Sequence, residues 1–285
     1  MNNTKSTIRT RLARMARWKK IVIGGGLALV AILAVGVWWY LRDDAPRAVD
    51  LDAAVGAIST EGTTPAGSIS TEVSTSAGSI STEAGTSGGS ISTDGSTSAG
   101  GVAGDWAVDT SVGEFSFEDS TGTFVGFRVS EELSGIGSTT AVGRTPAVTG
   151  SMTIDGTALT AANIEADMTA LTTNDSRRDD RALDALGTAQ FPSATFVLTS
   201  PIDLGDAAAT GAQTAVTATG DLTIHGVTKS VEIPLEAQLI GDTIVVVGTV
   251  DVVFSDFGVT VPSAPIVLSV DDHGQIELQL FFSRA

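Results

Sequence analysis

The 285-residue chain contains no cysteine, only two histidines (His225 and His273) and a single tyrosine. Without cysteine it can form neither disulfides nor thiolate metal sites, and it has no cysteine nucleophile. Two isolated histidines leave almost no material for histidine-based metal binding or acid–base chemistry. A Ser-His-Asp order, a phosphate-binding loop and metal-ligand spacing are also missing. We therefore expect no catalysis, no metal site and no cofactor.

Basic residues are scarce after the first 51 positions. Residues 52–104 contain no Lys or Arg, and residues 105–285 contain seven against 25 acidic residues, a net charge of −18. A body with this charge has no basic stripe to neutralise phosphates, so we expect no nucleic-acid binding. The same charge disfavours docking of this region on anionic lipid.

The beginning of the chain has the opposite character. Residues 1–20 contain seven basic and no acidic residues, and residues 21–41 contain no charge. A 21-residue helix is about 31 Å long and matches a bilayer core, and Trp38, Trp39 and Tyr40 fall where an interfacial aromatic belt lies. The charge bias predicts a cytoplasmic tail at 1–20 and a single transmembrane anchor at 21–41, with the rest of the chain outside the cytoplasm. A cleaved signal peptide is the alternative interpretation.

Ser, Thr, Gly and Ala make up almost all of residues 52–104, where a motif with a period of eleven occurs four times, starting at Gly56, Gly67, Gly78 and Gly89. One Ile per repeat buries too little apolar surface to offset the backbone entropy. We therefore predict that residues 42–104 are a flexible, disordered linker. A coil with the length of residues 52–104 reaches roughly 40 Å on average and at most about 180 Å.

From residue 105 onward the dominant pattern is alternation with period two, which predicts antiparallel β structure. Residues 174–186 break this pattern and are predicted to form one short inserted helix, with Asn174 or Asp175 as its N-cap. An all-β fold of eight to ten strands, closed into a barrel, leaves no exposed sheet edge. An immunoglobulin-type sandwich is the alternative fold for residues 105–285.

Residues 220–229 (GDLTIHGVTK) resemble the hallmark of the YceI-like, polyisoprenoid-binding family. Further landmarks of that family follow in order at Trp106, residues 125–129, Arg178-Asp179, Phe191-Pro192 and residues 256–258. Residues 141–146 resemble an actinobacterial branch of the family. The resemblance covers about residues 105–283. It implies an extended, lipocalin-like antiparallel barrel whose interior holds an isoprenoid or another lipid-like chain.

If such a barrel encloses a ligand, the alternating apolar positions line its cavity. The predicted lining residues are Val125, Phe127, Val129, Phe196, Leu222, Ile233, Leu235, Val246 and Phe254. Arg178 and Glu131 are candidates for the barrel mouth or for contact with a ligand head group, although the mixed charges around Arg178 also fit a solvated surface. His225 is interpreted as a structural turn residue.

The predicted function is that of a membrane-anchored, extracytoplasmic protein that sequesters or carries an isoprenoid, a quinone or a similar apolar ligand. The alternative is a non-catalytic cell-envelope structural or stress-protection module with a filled core, whose linker or outer face binds a partner. A lipid that copurifies with the domain would favour the first function, and a dry, filled core with a saturable partner would favour the second.

Overall fold

The computed structural model describes residues 45–61, 101–117, 121–261 and 267–285. Residues Ala45–Leu133 and Ser138–Ala285 belong to one compact unit. The described helices are α1 (Leu51–Glu61), α2 (Asp179–Ala185) and α3 (Gly205–Ala208), with 3-10 turns at Met168–Ala170 and Phe254–Phe257. The described strands are β1 (Gly104–Val108), β2 (Phe124–Leu133), β3 (Gly137–Thr145), β4 (Val148–Asp155), β5 (Ala158–Asp167), β6 (Thr172–Thr173), β7 (Ser193–Leu198), β8 (Ile202–Asp203), β9 (Thr214–Ile224), β10 (Val227–Ile240), β11 (Thr243–Val253) and β12 (Val267–Arg284).

Eight of these strands close into an antiparallel barrel in the order β1-β4-β5-β7-β9-β10-β11-β12, because β12 also pairs with β1. Most of β12 pairs with β2 on the same edge, and β2 leads on to β3 and β6. The all-β, lipocalin-like barrel predicted from the sequence is therefore confirmed. Closure leaves β1 and β12 hydrogen-bonded to each other instead of ending as free edges.

Tight turns between neighbouring strands set the register. Between β9 and β10 the two turn residues His225 and Gly226 have φ values of 53° and 73°. This left-handed pair is the geometry of a two-residue hairpin that follows the right-handed strand twist. His225 is the one non-glycine residue with positive φ among the described residues, so it does occupy a structural turn.

The inserted helix is shorter than the segment predicted for it. Helix α2 begins at Asp179 with Arg178 at its N-cap position, so neither Asn174 nor Asp175 caps the helix itself. The Asp175 side chain accepts from the Arg177 amide at 3.1 Å and so caps the turn that precedes α2. The Asn174 side chain instead accepts from the Val142 amide at 3.1 Å, which fastens the segment to β3 before the helix starts. A second short insertion, α3, was not predicted.

The first residues of the predicted linker are folded. Residues 45–61, which we call the strap, pass over the barrel and end in α1, where Leu51, Ala54, Val55 and Ile58 face Val245, Val247 and Phe281. These four strap residues follow the i, i+3, i+4, i+7 spacing of a helix with one apolar face. The prediction of disorder is therefore wrong for residues 45–61, because their apolar residues find partners on the barrel that composition alone does not reveal.

The predicted tail at 1–20, the predicted anchor at 21–41 and the linker residues 42–44 and 62–100 lie outside the described residues. Within the described ranges, no helix combines the length and the apolar character needed to cross a bilayer.

Candidate ligand-binding cavity

Alternating side chains of the barrel strands point inward and surround a cavity of about 170 Å³. Its lining is almost entirely aliphatic and aromatic, and the polar side chains among the described lining residues are Thr195, Thr214 and Gln238. No ionisable side chain belongs to this lining. Besides the predicted residues, the strands contribute Met152, Ile154, Leu159, Ala162, Ile164, Ala166, Ala218, Ala237, Leu239, Ile244, Ile276, Leu278, Leu280 and Phe282.

Different loops close the two ends of the cavity. One end is lined by Met168, Leu186 and Ile224, from the segment around α2 and the end of β9. The other end is lined by Leu204 and Ala208, at and just before α3. Thr214 and Gln238 lie at this second end, where the Gln238 amide donates to the carbonyl of Gly211 at 3.0 Å. Thr195, the third polar residue of the lining, pairs with Thr223 near the end of β9, so the polar groups lie toward the two ends of the cavity.

The structure brings together eight of the nine side chains predicted to line the cavity. Val125, Phe127, Phe196, Leu222, Ile233, Leu235, Val246 and Phe254 all lie in its wall. Val129 does not line the cavity but is buried in the apolar cluster that includes Val252 and Phe254. It pairs with Gly274, where the register between β2 and β12 shifts, so it lies beyond the end of the regular wall. Whether the eight residues bind a ligand stays a prediction.

Arg178 and Glu131, predicted at the mouth, pair with each other. The Arg178 guanidinium donates to the Glu131 carboxylate and also to the Asn174 side chain at 2.7 Å, and the Thr139 hydroxyl donates to the same carboxylate at 3.2 Å. The Glu131 side chain is only 4% exposed. Neither member of the pair lies in the cavity lining. The pair fastens the segment before α2 to β2 and β3.

Comparison with known proteins identifies the family. Residues 106–282 match the model of the YceI-like domain. This chain belongs to the YceI-like family. Protein YceI of Escherichia coli O157:H7 is 43% identical over 81 residues, which are 28% of this chain and 37% of that relative. The chain thus spans little more than a third of the length of the curated relatives that it matches.

Two solved structures resemble the YceI-like barrel. One is a polyisoprenoid binding domain from Saccharophagus degradans implicated in plant cell wall breakdown, with a TM-score of 0.47, 19% identity, and coverage of 63% of this chain and 98% of that chain. The other is BcnA of Burkholderia cenocepacia, with a TM-score of 0.44, 22% identity, and coverage of 55% of this chain and 95% of that chain. Family membership rests on the sequence match over residues 106–282.

The motif at residues 220–229 has a structural role in the YceI-like barrel. It spans the β9–β10 hairpin, and the His225 ring packs against Phe191 with 4.8 Å between ring centroids. A Cβ added at Gly226 would lie 2.4 Å from the Phe191 ring, so the turn requires glycine at this position. Leu222 and Ile224, from the same motif, line the cavity. The motif thus holds one end of the cavity closed.

Sequence reasoning missed a buried charged cluster on the outer face of the YceI-like barrel. Glu277 in β12 is fully buried; its carboxylate accepts from Arg144 Nε at 2.7 Å and lies 3.5 Å from Arg128 Nη1. The Arg144 guanidinium also stacks over the Phe124 ring, 4.2 Å from its centroid. Alternation correctly places Glu277 opposite the cavity-facing residues of β12, but the pattern contains no sign that another segment covers that face.

Proposed function

We propose that the barrel binds one uncharged, chain-like apolar molecule, such as an isoprenoid or the tail of a quinone, inside its cavity. The observation that carries this proposal is a cavity of about 170 Å³ whose described lining contains no ionisable group. A cavity of this kind gives no support to the filled core of a purely structural module. It also offers no acid, base or nucleophile to a substrate, so the proposal is binding and not catalysis.

The energetics favour an apolar chain over a charged one. Apolar surface removed from water gains about 25 cal/mol per Å² before association costs, and a cavity of about 170 Å³ has room for a short apolar segment of such a chain. A charged head group drawn into such a lining would lose its hydration without gaining a partner. In addition, the net charge of −18 over residues 105–285 repels anions. We therefore expect polyprenols and quinones to bind better than prenyl phosphates of equal length.

We further propose that residues 21–41 anchor the chain in a membrane, with residues 1–20 in the cytoplasm and the barrel outside it. The support is the absence of charge from residues 21–41 and the seven basic residues before them. An extracytoplasmic barrel beside a bilayer has direct access to lipids that are poorly soluble in water. We accordingly assign the protein to the sequestration or transfer of such lipids.

The direct experiment is mass spectrometry of lipids extracted from the full-length protein purified from its own host. We expect one class of chain-like neutral lipid at close to one molecule per chain. Added polyprenols and quinones should bind with an affinity that rises with chain length until the chain fills the cavity, and that changes little between low and high salt. Lipid-free protein that binds no member of such a length series would contradict the proposal.

A matched pair of variants tests whether the cavity is the binding site. Ala218 in β9 is 2% exposed and faces the cavity, whereas Ala215, three residues earlier, is exposed. Ala218→Phe places a ring in the middle of the cavity, and we expect it to reduce bound lipid at least tenfold. Ala215→Phe adds the same group outside and should leave binding unchanged. Equal lipid content in the two folded variants would place the ligand elsewhere.

A further inference from the structure

The strap is fixed to the barrel by apolar contacts. Leu51 and Ala54 are 1% and 2% exposed, and they share a cluster with Val245 and Val247 of β11 and Phe281 of β12. The Asp50 side chain accepts from the Ala53 amide at 2.9 Å, which caps the start of α1. The helix therefore has a defined beginning and one buried face.

The buried charged cluster fixes the part of the strap that precedes the helix. Arg128 Nη2 donates to the carbonyl of Pro46, and Arg144 Nη2 donates to the carbonyl of Arg47, both at 2.8 Å. The same two guanidiniums meet Glu277 of β12. Charge-assisted donors of this kind make stronger hydrogen bonds than neutral ones. The strap is thus fixed along most of its length.

The chain joins the barrel again at residues 101–103. Val102 is 4% exposed, and the Arg284 guanidinium donates to the carbonyls of Gly101 and Ala103 at 2.6 and 2.9 Å. Residues 62–100, which include three of the four repeats, therefore begin and end at points that are both held on the barrel. While the strap is in place, the chain path from residues 1–41 to the barrel ends at the strap and does not include residues 62–100.

We propose that the strap determines the length of the membrane tether. This inference rests on the proposed anchor at residues 21–41. With the strap docked, only residues 42–44 join the anchor to the barrel, a reach of about 14 Å. With the strap released, the tether is residues 42–100, with an average reach of roughly 42 Å if it behaves as a Ser/Gly-type coil.

The sequence restricts this role to the first repeat. Ile58 follows Leu51, Ala54 and Val55 at helical spacing. The corresponding positions before Ile69 in the second repeat are Gly62, Pro65 and Ala66. These residues offer no large apolar group for the same contact, and proline disfavours a helix interior. The second repeat therefore cannot replace the strap on the barrel, and the third has only Val73 and Ile80 at the positions of Leu51 and Ile58, with Ser76 at the position of the buried Ala54.

The test measures the distance between barrel and membrane for the full-length protein in lipid vesicles. Because the chain has no cysteine, a single cysteine at exposed Ser200 accepts one fluorescent donor, and an acceptor dye is placed in the lipid. Four changes are compared: Leu51→Asp, which releases the strap; Ala53→Asp, the same charge on the exposed side of α1; Gly56→Ala, which favours the helix; and deletion of residues 67–88, which removes two repeats.

We expect Leu51→Asp to increase the average separation by roughly 30 Å, and Ala53→Asp and Gly56→Ala to leave it unchanged. Deleting residues 67–88 should change nothing when the strap is intact and should shorten the separation when Leu51→Asp is also present. Hydrogen exchange of the strap amides shows whether Leu51→Asp has released the strap; if it has not, Ala54→Asp is added. Shortening by the deletion with an intact strap, or an unchanged separation with a released strap, would overturn the tether proposal alone. A chain that fails to float with vesicles would overturn the anchor and the tether together, whereas loss of lipid binding would affect only the proposed ligand.

Discussion

At the scale of single residues, Glu277 is the buried carboxylate that contacts two arginines on the outer face of the barrel. It is fully buried between two guanidiniums, one of which, Arg144, is itself 2% exposed. A buried ion pair adds little net stability compared with an apolar pair, but removing one partner leaves the others charged and desolvated. Glu277 therefore stabilises the fold mainly because, without it, Arg128 and Arg144 would be desolvated with no opposite charge beside them.

We expect Glu277→Ala to lower the free energy of unfolding by about 3–5 kcal/mol. Glu236→Ala, at an exposed site on β10, is the matched control and should change it by less than about 0.5 kcal/mol. Urea unfolding at neutral pH measures both. A loss of under 1 kcal/mol for Glu277→Ala would mean that water reaches the guanidiniums and the cluster is not sealed.

Asp109, just after β1, gives a pH-dependent prediction. Hydrogen bonds from the Ser111 hydroxyl, the Ser283 hydroxyl and the Ser111 amide hold the pKa of the Asp109 carboxyl below its usual value of 3.8. Because the unfolded chain takes up this proton first, the contribution of Asp109 to stability is present above about pH 4 and disappears as the pH falls through its native pKa. We expect Asp109→Asn to lower the melting temperature at pH 6 and to approach the wild type near pH 3. A difference that is constant over this range would contradict the assignment.

The cavity-lining residues could be predicted from the sequence where side chains alternate regularly along a strand. Val125, Phe127 and Leu235 were placed in the wall because alternation alone decides which face a strand residue occupies. Val129 follows the same pattern but lies beyond the regular wall, where a register shift in β12 ends it. The two arginines that contact Glu277 also donate to the strap, a segment more than 200 positions earlier, and local patterns carry no information about such a contact.

At the scale of elements, the β9–β10 hairpin combines a backbone requirement with a packing requirement. Gly226 and Gly241 both have positive φ, at 73° and 59°. An added Cβ at Gly226 meets the Phe191 ring at 2.4 Å, whereas one at Gly241 has no heavy atom within 4 Å. Alanine at Gly241 therefore introduces backbone strain alone, whereas alanine at Gly226 introduces backbone strain and a steric clash.

We expect Gly241→Ala to destabilise the protein by about 1 kcal/mol, the backbone contribution alone. Gly226→Ala should cost about 1–3 kcal/mol more, because the methyl group collides with Phe191. Denaturant midpoints of the two variants give the comparison. Equal losses of stability in the two variants would show that the Phe191 ring moves to accommodate the methyl group and that the end of the cavity near α2 is loosely packed.

The strap and α2 show two reasons why elements are harder to predict than residues. An eleven-residue helix has little stability of its own in water, and α1 forms against partners on β11 and β12. Its sequence, rich in Ala and Gly and continuous with the repeats, therefore resembled the linker. The start of α2 was misplaced because Asn174 and Asp175 are good caps by residue type, yet the Asn174 side chain bonds to β3 instead.

At the scale of the whole molecule, the orientation of the chain in the membrane is open to a simple labelling experiment. A cysteine replacing Ser6 in the predicted cytoplasmic tail and one replacing exposed Ser200 in the barrel give two single-cysteine proteins. A membrane-impermeant thiol reagent added to intact cells without an outer permeability barrier should label only the second. The first should react after the membrane is permeabilised. The reverse pattern would reverse the orientation.

The barrel itself was predictable because several levels of the sequence agree on it. Alternating apolar residues, glycine-containing turns and the motif at residues 220–229 all indicate antiparallel strands in one closed sheet. The path by which the sheet closes was not predictable. It depends on β12 being long enough to pair with β2 along most of its length and with β1 at its end. No local sequence pattern predicts that one strand pairs with two neighbours on the same edge.

The double pairing of β12 also determines the order in which the protein can fold. Trp106 of β1 pairs with Arg284 of β12, so the contact that closes the barrel joins residues 178 positions apart. The barrel cannot close while residue 284 is still being synthesised, and long-range pairing of this kind slows folding in general. During synthesis β1 therefore remains an open edge. The same strand that completes the cavity therefore also postpones the compact state until the whole domain has been synthesised.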